Sequence, residues 1–168
     1  MKKILLVVLS LIMIFSFAAC GENEEVQNAA DKVQDALKAT DASGNLDKDA
    51  INDALDDYND ALDNAGGEVN KGMTVEEYVD LAKDAVSQQS NDTFDVSFSA
   101  RGNSVVYTYK YKIPVADNAK DLLDSSMNEA KDTYATLKGT IQKECKAVEK
   151  IIYEYYDINN NLIASYEY

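Results

Sequence analysis

The chain has 168 residues, with 16 Lys and Arg against 30 Asp and Glu and a net charge of −14 at pH 7. That balance disfavours nucleic acid and anionic lipid headgroups as partners. With no histidine and no tryptophan, the commonest general base and the commonest transition-metal ligand are both missing.

Met1-Lys2-Lys3 opens the chain with positive charge, and residues 4–17 are apolar apart from Ser10 and Ser16. This run has the length of a signal-peptide core and falls short of the about 20 apolar residues that a permanent span needs. It ends in Phe17-Ala18-Ala19-Cys20 and then turns polar. Small residues before a cysteine resemble the lipobox of bacterial lipoproteins, with Phe17 where leucine is usual. The resemblance implies cleavage before Cys20 and a diacylglycerol on its thiol. Two acyl chains then hold the protein on the membrane without a transmembrane helix, lipid-anchored and facing outward. Loss of Lys2 and Lys3 leaves 14 basic residues against 30 acidic, a mature net charge of −16. Acylation of Cys20 also leaves Cys145 without a disulfide partner, and its place on an apolar helical stripe reads as a buried small hydrophobe.

Residues 21–65 hold 13 acidic and 3 basic residues, whereas 66–168 hold 17 and 11. In the first segment Val26, Ala29, Ala30, Val33, Ala36 and Leu37 recur at helical spacing, and so do Ile51, Ala54, Leu55, Tyr58, Ala61, Leu62 and Ala65. A turn over 41–45 makes these an acidic helical hairpin. Alanine-rich stripes bury little apolar area, so the expectation is a stalk or a loosely docked hairpin.

Two runs invite a calcium reading and fail it. Asp41, Ser43, Asn45, Asp47 and Asp49 alternate like loop ligands, but Leu46 and Asn52 stand where an EF-hand needs glycine and glutamate. Asp157, Asn159 and Asn161 meet Leu162 and Tyr168 at the same places. No metal and no cofactor is expected.

After a turn-rich linker over 66–72, Thr74-Val75-Glu76-Glu77 matches a capping box and starts a helix to about Gln89. Phe94, Val96, Phe98 and Ala100 alternate with polar residues as a half-buried strand. Gly102-Asn103 marks a two-residue turn. The next strand, residues 104–113, sets Val105, Tyr107, Tyr109, Tyr111 and Ile113 on one face, which is expected to look inward.

Pro114 closes that strand, and Leu123, Met127, Ala130, Tyr134, Leu137, Ile141, Cys145 and Val148 follow at steps of three and four. A continuous helix over 117–149 is roughly 50 Å long against about 26 Å for an eight-residue strand. It must overhang the sheet or break near Gly139. Residues 151–158 and 162–168 read as a closing hairpin around Asn159-Asn160-Asn161. Its first strand is apolar on both faces apart from Glu154, which predicts a central strand covered on its second face by the capping-box helix or the acidic hairpin.

The expected fold class is therefore α+β: helix, hairpin, helix, hairpin, with a four-stranded antiparallel sheet packed on a long helix, preceded by the acidic helical hairpin. Residues 1–19 form the signal peptide and 20–65 the lipidated cysteine with its stalk or hairpin. The linker covers 66–72 and the α+β domain 73–168.

Thr74-Val75-Glu76-Glu77-Tyr78-Val79, Asn103-Ser104-Val105-Val106-Tyr107-Thr108-Tyr109 and Tyr155-Tyr156-Asp157-Ile158-Asn159-Asn160-Asn161-Leu162-Ile163 resemble a family of small Gram-positive surface lipoproteins with a C-terminal domain of unknown function. The resemblance covers about 72–168 and implies a fold rather than an activity, since none of these motifs is catalytic.

Eight of the eleven tyrosines fall on the expected strands. Exposed tyrosine clusters mark interfaces, and Tyr156, Tyr166 and Tyr168 are the candidate binding surface. The functional expectation is a non-enzymatic binding or interaction module at the cell surface, engaging a protein or a wall polymer. The alternative is a small carboxylate-dependent hydrolase of envelope material, for which no acid pair stands out.

Overall fold

The computed structural model describes residues 24–38, 47–64 and 72–168. The leader with Cys20, the turn at 41–45 and all but Gly72 of the linker lie outside the described residues.

Helices α1 (Glu24–Lys38) and α2 (Lys48–Asn64) come first. Val26, Ala29, Ala30 and Val33 of α1 and Ile51, Leu55, Tyr58 and Leu62 of α2 are buried in one continuous core. Lys32 of α1 meets Asp57 of α2 at 2.7 Å. The hairpin does not stand off as a stalk, because α2 is in contact with the last helix of the molecule.

Helix α3 (Val75–Ser87) starts at the expected capping box. The Thr74 N–H donates to Glu77 Oε2 at 2.9 Å, and the Glu77 N–H donates to Thr74 Oγ1 at 3.2 Å, so two free backbone donors are satisfied reciprocally. Strands β1 (Phe94–Arg101) and β2 (Ser104–Tyr111) follow as an antiparallel hairpin. Gly102 turns it at φ +57, a conformation that costs other residues a Cβ clash. Helices α4 (Ala119–Glu129) and α5 (Lys131–Glu144) lead to β3 (Lys150–Tyr156) and β4 (Leu162–Glu167).

The sheet order is β1-β2-β3-β4, but β2 pairs with β3 in parallel, so the sheet is mixed and not antiparallel throughout. The reason lies in the connection. Residues 112–149 carry two helices back along the sheet, and a helical crossover delivers the chain to the end where the preceding strand began.

The long helix is also corrected. It breaks at Ala130 (φ −97, ψ 10), which caps α4 and starts α5, and not near Gly139; it ends at Glu144, with Cys145 already extended. The break keeps both halves over the strands. Tyr134 of α5 donates its hydroxyl to Met127 Sδ of α4 at 3.2 Å, and Tyr155 of β3 does so at 3.6 Å.

Strand β3 is central as expected, but among the described residues no helix covers its second face. Tyr78 of α3 meets the inward ring of Phe98, and α2 lies on α5, so these elements stack on the same side of the sheet. On the open side Ile152 and Tyr156 are half-buried, and Glu154 is buried beside Arg101. The core is built on tyrosine pairs set by the parallel register. Tyr107 stacks on Tyr153 and Tyr109 on Tyr155, each with ring centroids 5.1 Å apart.

Candidate functional site

The three tyrosines singled out in the sequence do not form one surface. In β4 the side chains alternate, so Tyr166 points to the helices and lies opposite Tyr153 in the register. Its hydroxyl donates to Asp124 Oδ1 of α4 at 2.6 Å. Burial and this bond push the Tyr166 hydroxyl well above its usual range. Asp124 is held low in turn, first by Lys120 and then by Tyr166. Tyr168 continues past β4, with its ring centroid 4.6 Å from that of Tyr134 and its hydroxyl donating to the Met127 carbonyl at 3.3 Å. Burial pushes it up to about 12. The two tyrosines share a shallow cavity of about 210 Å³ with Asp124, Met127, Asn128 and Lys131.

Tyr156 stands on the other face, at the far end of β3. Its hydroxyl donates to Glu154 Oε2 at 3.0 Å. Arg101 reaches across β2 from β1 and binds the same carboxylate with two N–H groups, at 2.7 and 3.2 Å. The fork matches both oxygens, and Arg101 is the main reason that Glu154 is held below the usual carboxylate range.

Beyond Tyr156 the strand ends leave apolar side chains in solvent: Ile113 (41 % exposed) after β2, Ile158 (43 %) after β3 and Leu162 (55 %) opening β4. Ile113 was expected on the inward face, but Pro114 follows it and the strand has already ended at Tyr111. The turn between β3 and β4 is made by Asp157, whose Oδ1 accepts from the Asn159 and Asn161 N–H groups at 2.8 and 2.7 Å. Asn160 supplies φ +65 there. Asp157 is thus occupied by its own backbone, and among the described residues no group of three or more His, Cys, Asp or Glu is placed to hold a metal ion.

The chain enters the domain at the opposite end. Gly72, Met73, Thr74, Val75 and Glu76 line a cavity of about 530 Å³ together with Gly102, Asn103, Lys146 and Ala147. Next to these residues Cys145 is a buried free thiol, donating weakly to the Met73 carbonyl at 3.5 Å; burial pushes that thiol up.

Sequence reasoning missed the most unusual group in the molecule. Glu144, the last residue of α5, is 1 % exposed. Its Oε1 accepts from the Tyr58 hydroxyl of α2 at 2.7 Å, and its Oε2 accepts from the Tyr78 hydroxyl of α3 at 2.9 Å. Burial pushes the carboxyl up to about 7 while the two hydrogen bonds pull it down. The one available signal was its position three residues after Ile141, on the stripe credited to Cys145. Glu144 is closed to any substrate, so its chemistry is confined to holding or releasing a proton between helices.

Residues 69–168 match the sequence pattern of DUF4854, a domain of unknown function. The chain belongs to that family. Helices α3 to α5 and the whole sheet of the DUF4854 domain lie inside the match, and α1 and α2 lie outside it. Glu144 and Tyr78 are therefore family-domain residues, whereas Tyr58 comes from the added hairpin. No curated protein and no solved structure matches.

Proposed function

We propose that this protein is a membrane-tethered lipoprotein of the outer cell surface, anchored through Cys20, whose DUF4854 domain is a non-enzymatic binding module for a protein partner. The leader residues Lys2 and Lys3, the apolar run and the Phe17-Ala18-Ala19-Cys20 ending support the anchor. No helix among the described residues is long and apolar enough to cross a membrane.

The binding reading is carried by polarity along the strands. The chain enters beside Gly102 and Asn103, where β2 begins, and the parallel register of β2 and β3 puts Ile113, Tyr156, Ile158 and Leu162 at the opposite end, roughly one strand length of about 26 Å away. Apolar side chains held in solvent at the end of the sheet remote from where the chain enters the domain suit contact with a protein. Tyr166 and Tyr168, whose hydroxyls and rings are engaged by α4 and α5, serve the packing of the sheet on those helices.

Labelled fatty acid fed to the native cells is expected in the wild-type chain and absent from Cys20→Ser, which should leave the membrane fraction. Site-specific photocrosslinkers at residues 158 and 162 on intact cells are expected to capture one protein adduct, and the same probe at the exposed β1 position 97 none. Adducts spread evenly over all three positions would overturn the assignment of this end.

A further inference from the structure

We infer that docking of the acidic hairpin onto the DUF4854 domain is coupled to protonation of Glu144, the one carboxylate shared between Tyr58 of the hairpin and Tyr78 of the domain. The geometry places the acid where the two parts meet. Helix α2 contributes Tyr58, α3 contributes Tyr78, β2 contributes Tyr107 and the first residue past α5, Cys145, completes its surroundings.

None of the ion pairs among the described residues includes Glu144. Its neighbour Lys143 turns outward, to Asp63 at 2.7 Å and the Asn59 carbonyl at 3.2 Å, both on α2. At the other end of the interface Lys48 of α2 reaches the Glu129 carbonyl at 3.1 Å. Cations therefore hold the rim, and the centre holds an acid and neutral hydroxyls. Glu77, at the α3 start, is bound to the Thr74 N–H.

An ionised carboxylate there has only two hydroxyl donors to replace its water, whereas the neutral acid suits a dry interface. Undocking α2 returns Glu144 to water and to its ordinary carboxylate behaviour. The docked value, about 7, lies above the ordinary 4.5. The docked state thus binds the proton more tightly, and docking is strongest below the ordinary value. It weakens as pH rises and has lost this contribution once pH passes about 7. The linkage amounts to a change on the order of 10²-fold in the docking equilibrium across that window.

The test is carried out on the full chain in detergent micelles. Amide hydrogen exchange of α2, corrected for intrinsic rates and referred to β2, is expected to lose protection between pH 5 and pH 8 in the wild type and to hold a constant level in Glu144→Gln. A wild-type profile without pH dependence, or one that Glu144→Gln reproduces, overturns the inference. Should Glu144→Gln misfold, Tyr58→Phe keeps the question open to measurement. Losing one donor to the carboxylate must move the carbon-13 carboxyl titration of Glu144 to higher pH, and an unmoved midpoint is equally decisive against it.

Discussion

In the sheet Tyr107 and Tyr153 stack face to face, and neither hydroxyl has a hydrogen-bond partner among the described residues; between the helices Tyr58 and Tyr78 are as deeply buried, yet both hydroxyls bind Glu144. One residue type serves as ring area in the first region and as a polar donor in the second. The contrast teaches where this fold is robust and where it is conditional. Stacked rings are indifferent to pH, whereas a carboxylate caught between two donors is not.

The largest effect that would sharpen the contrast is at Tyr153, whose ring meets Tyr107, Tyr134 and Tyr168. Tyr153→Ala is expected to lower stability in urea unfolding by about 3–5 kcal/mol, as for other large core truncations. Tyr153→Phe should change it by less than about 1 kcal/mol, because the hydroxyl it removes bonds nothing. A costly Tyr153→Phe would break the comparison.

Tyr58→Phe comes next. It leaves one oxygen of a buried carboxyl without its donor, at about 1–3 kcal/mol. Its cost should be greater at pH 8 than at pH 5, since Glu144 ionises at about 7 and the ionised form depends more on the bond. Equal costs at the two pH values would mean that Glu144 does not titrate between them.

The smallest effect is on the open face. Arg101 is well exposed, so Arg101→Ala should cost below about 1 kcal/mol despite the two-pronged contact. Arg101 holds Glu154 low, so the pair's stability is present above the ordinary carboxylate range and lost as pH falls through the lowered value. The difference between wild type and Arg101→Ala should therefore close in acid, opposite in sign to the dependence at Glu144.

Much of the chain could be read locally. Thr74 and Glu77 specify a helix start because both partners of the capping box lie within one turn. Gly102 and Asn160 specify hairpins because their φ values suit few other residues. The inward tyrosine face of β2 followed from period-two alternation. The parallel pairing of β2 and β3 was within reach too, because residues 112–149 are long enough for a helical return. The break at Ala130 was not, since Gly139 is the weaker helix former and the choice was made by Met127 and Tyr134 meeting over β3.

The sequence by itself determined the helices, the hairpin turns, the acidic segment and the tyrosine rows, because each depends on residues within one or two turns of one another. Tertiary structure alone decided that α2 docks, that the described helices all lie on one face of the sheet and that Glu144 is shared by Tyr58 and Tyr78. Those partners lie 86 and 66 positions from it along the chain, and no local pattern records which distant hydroxyl a buried acid will meet.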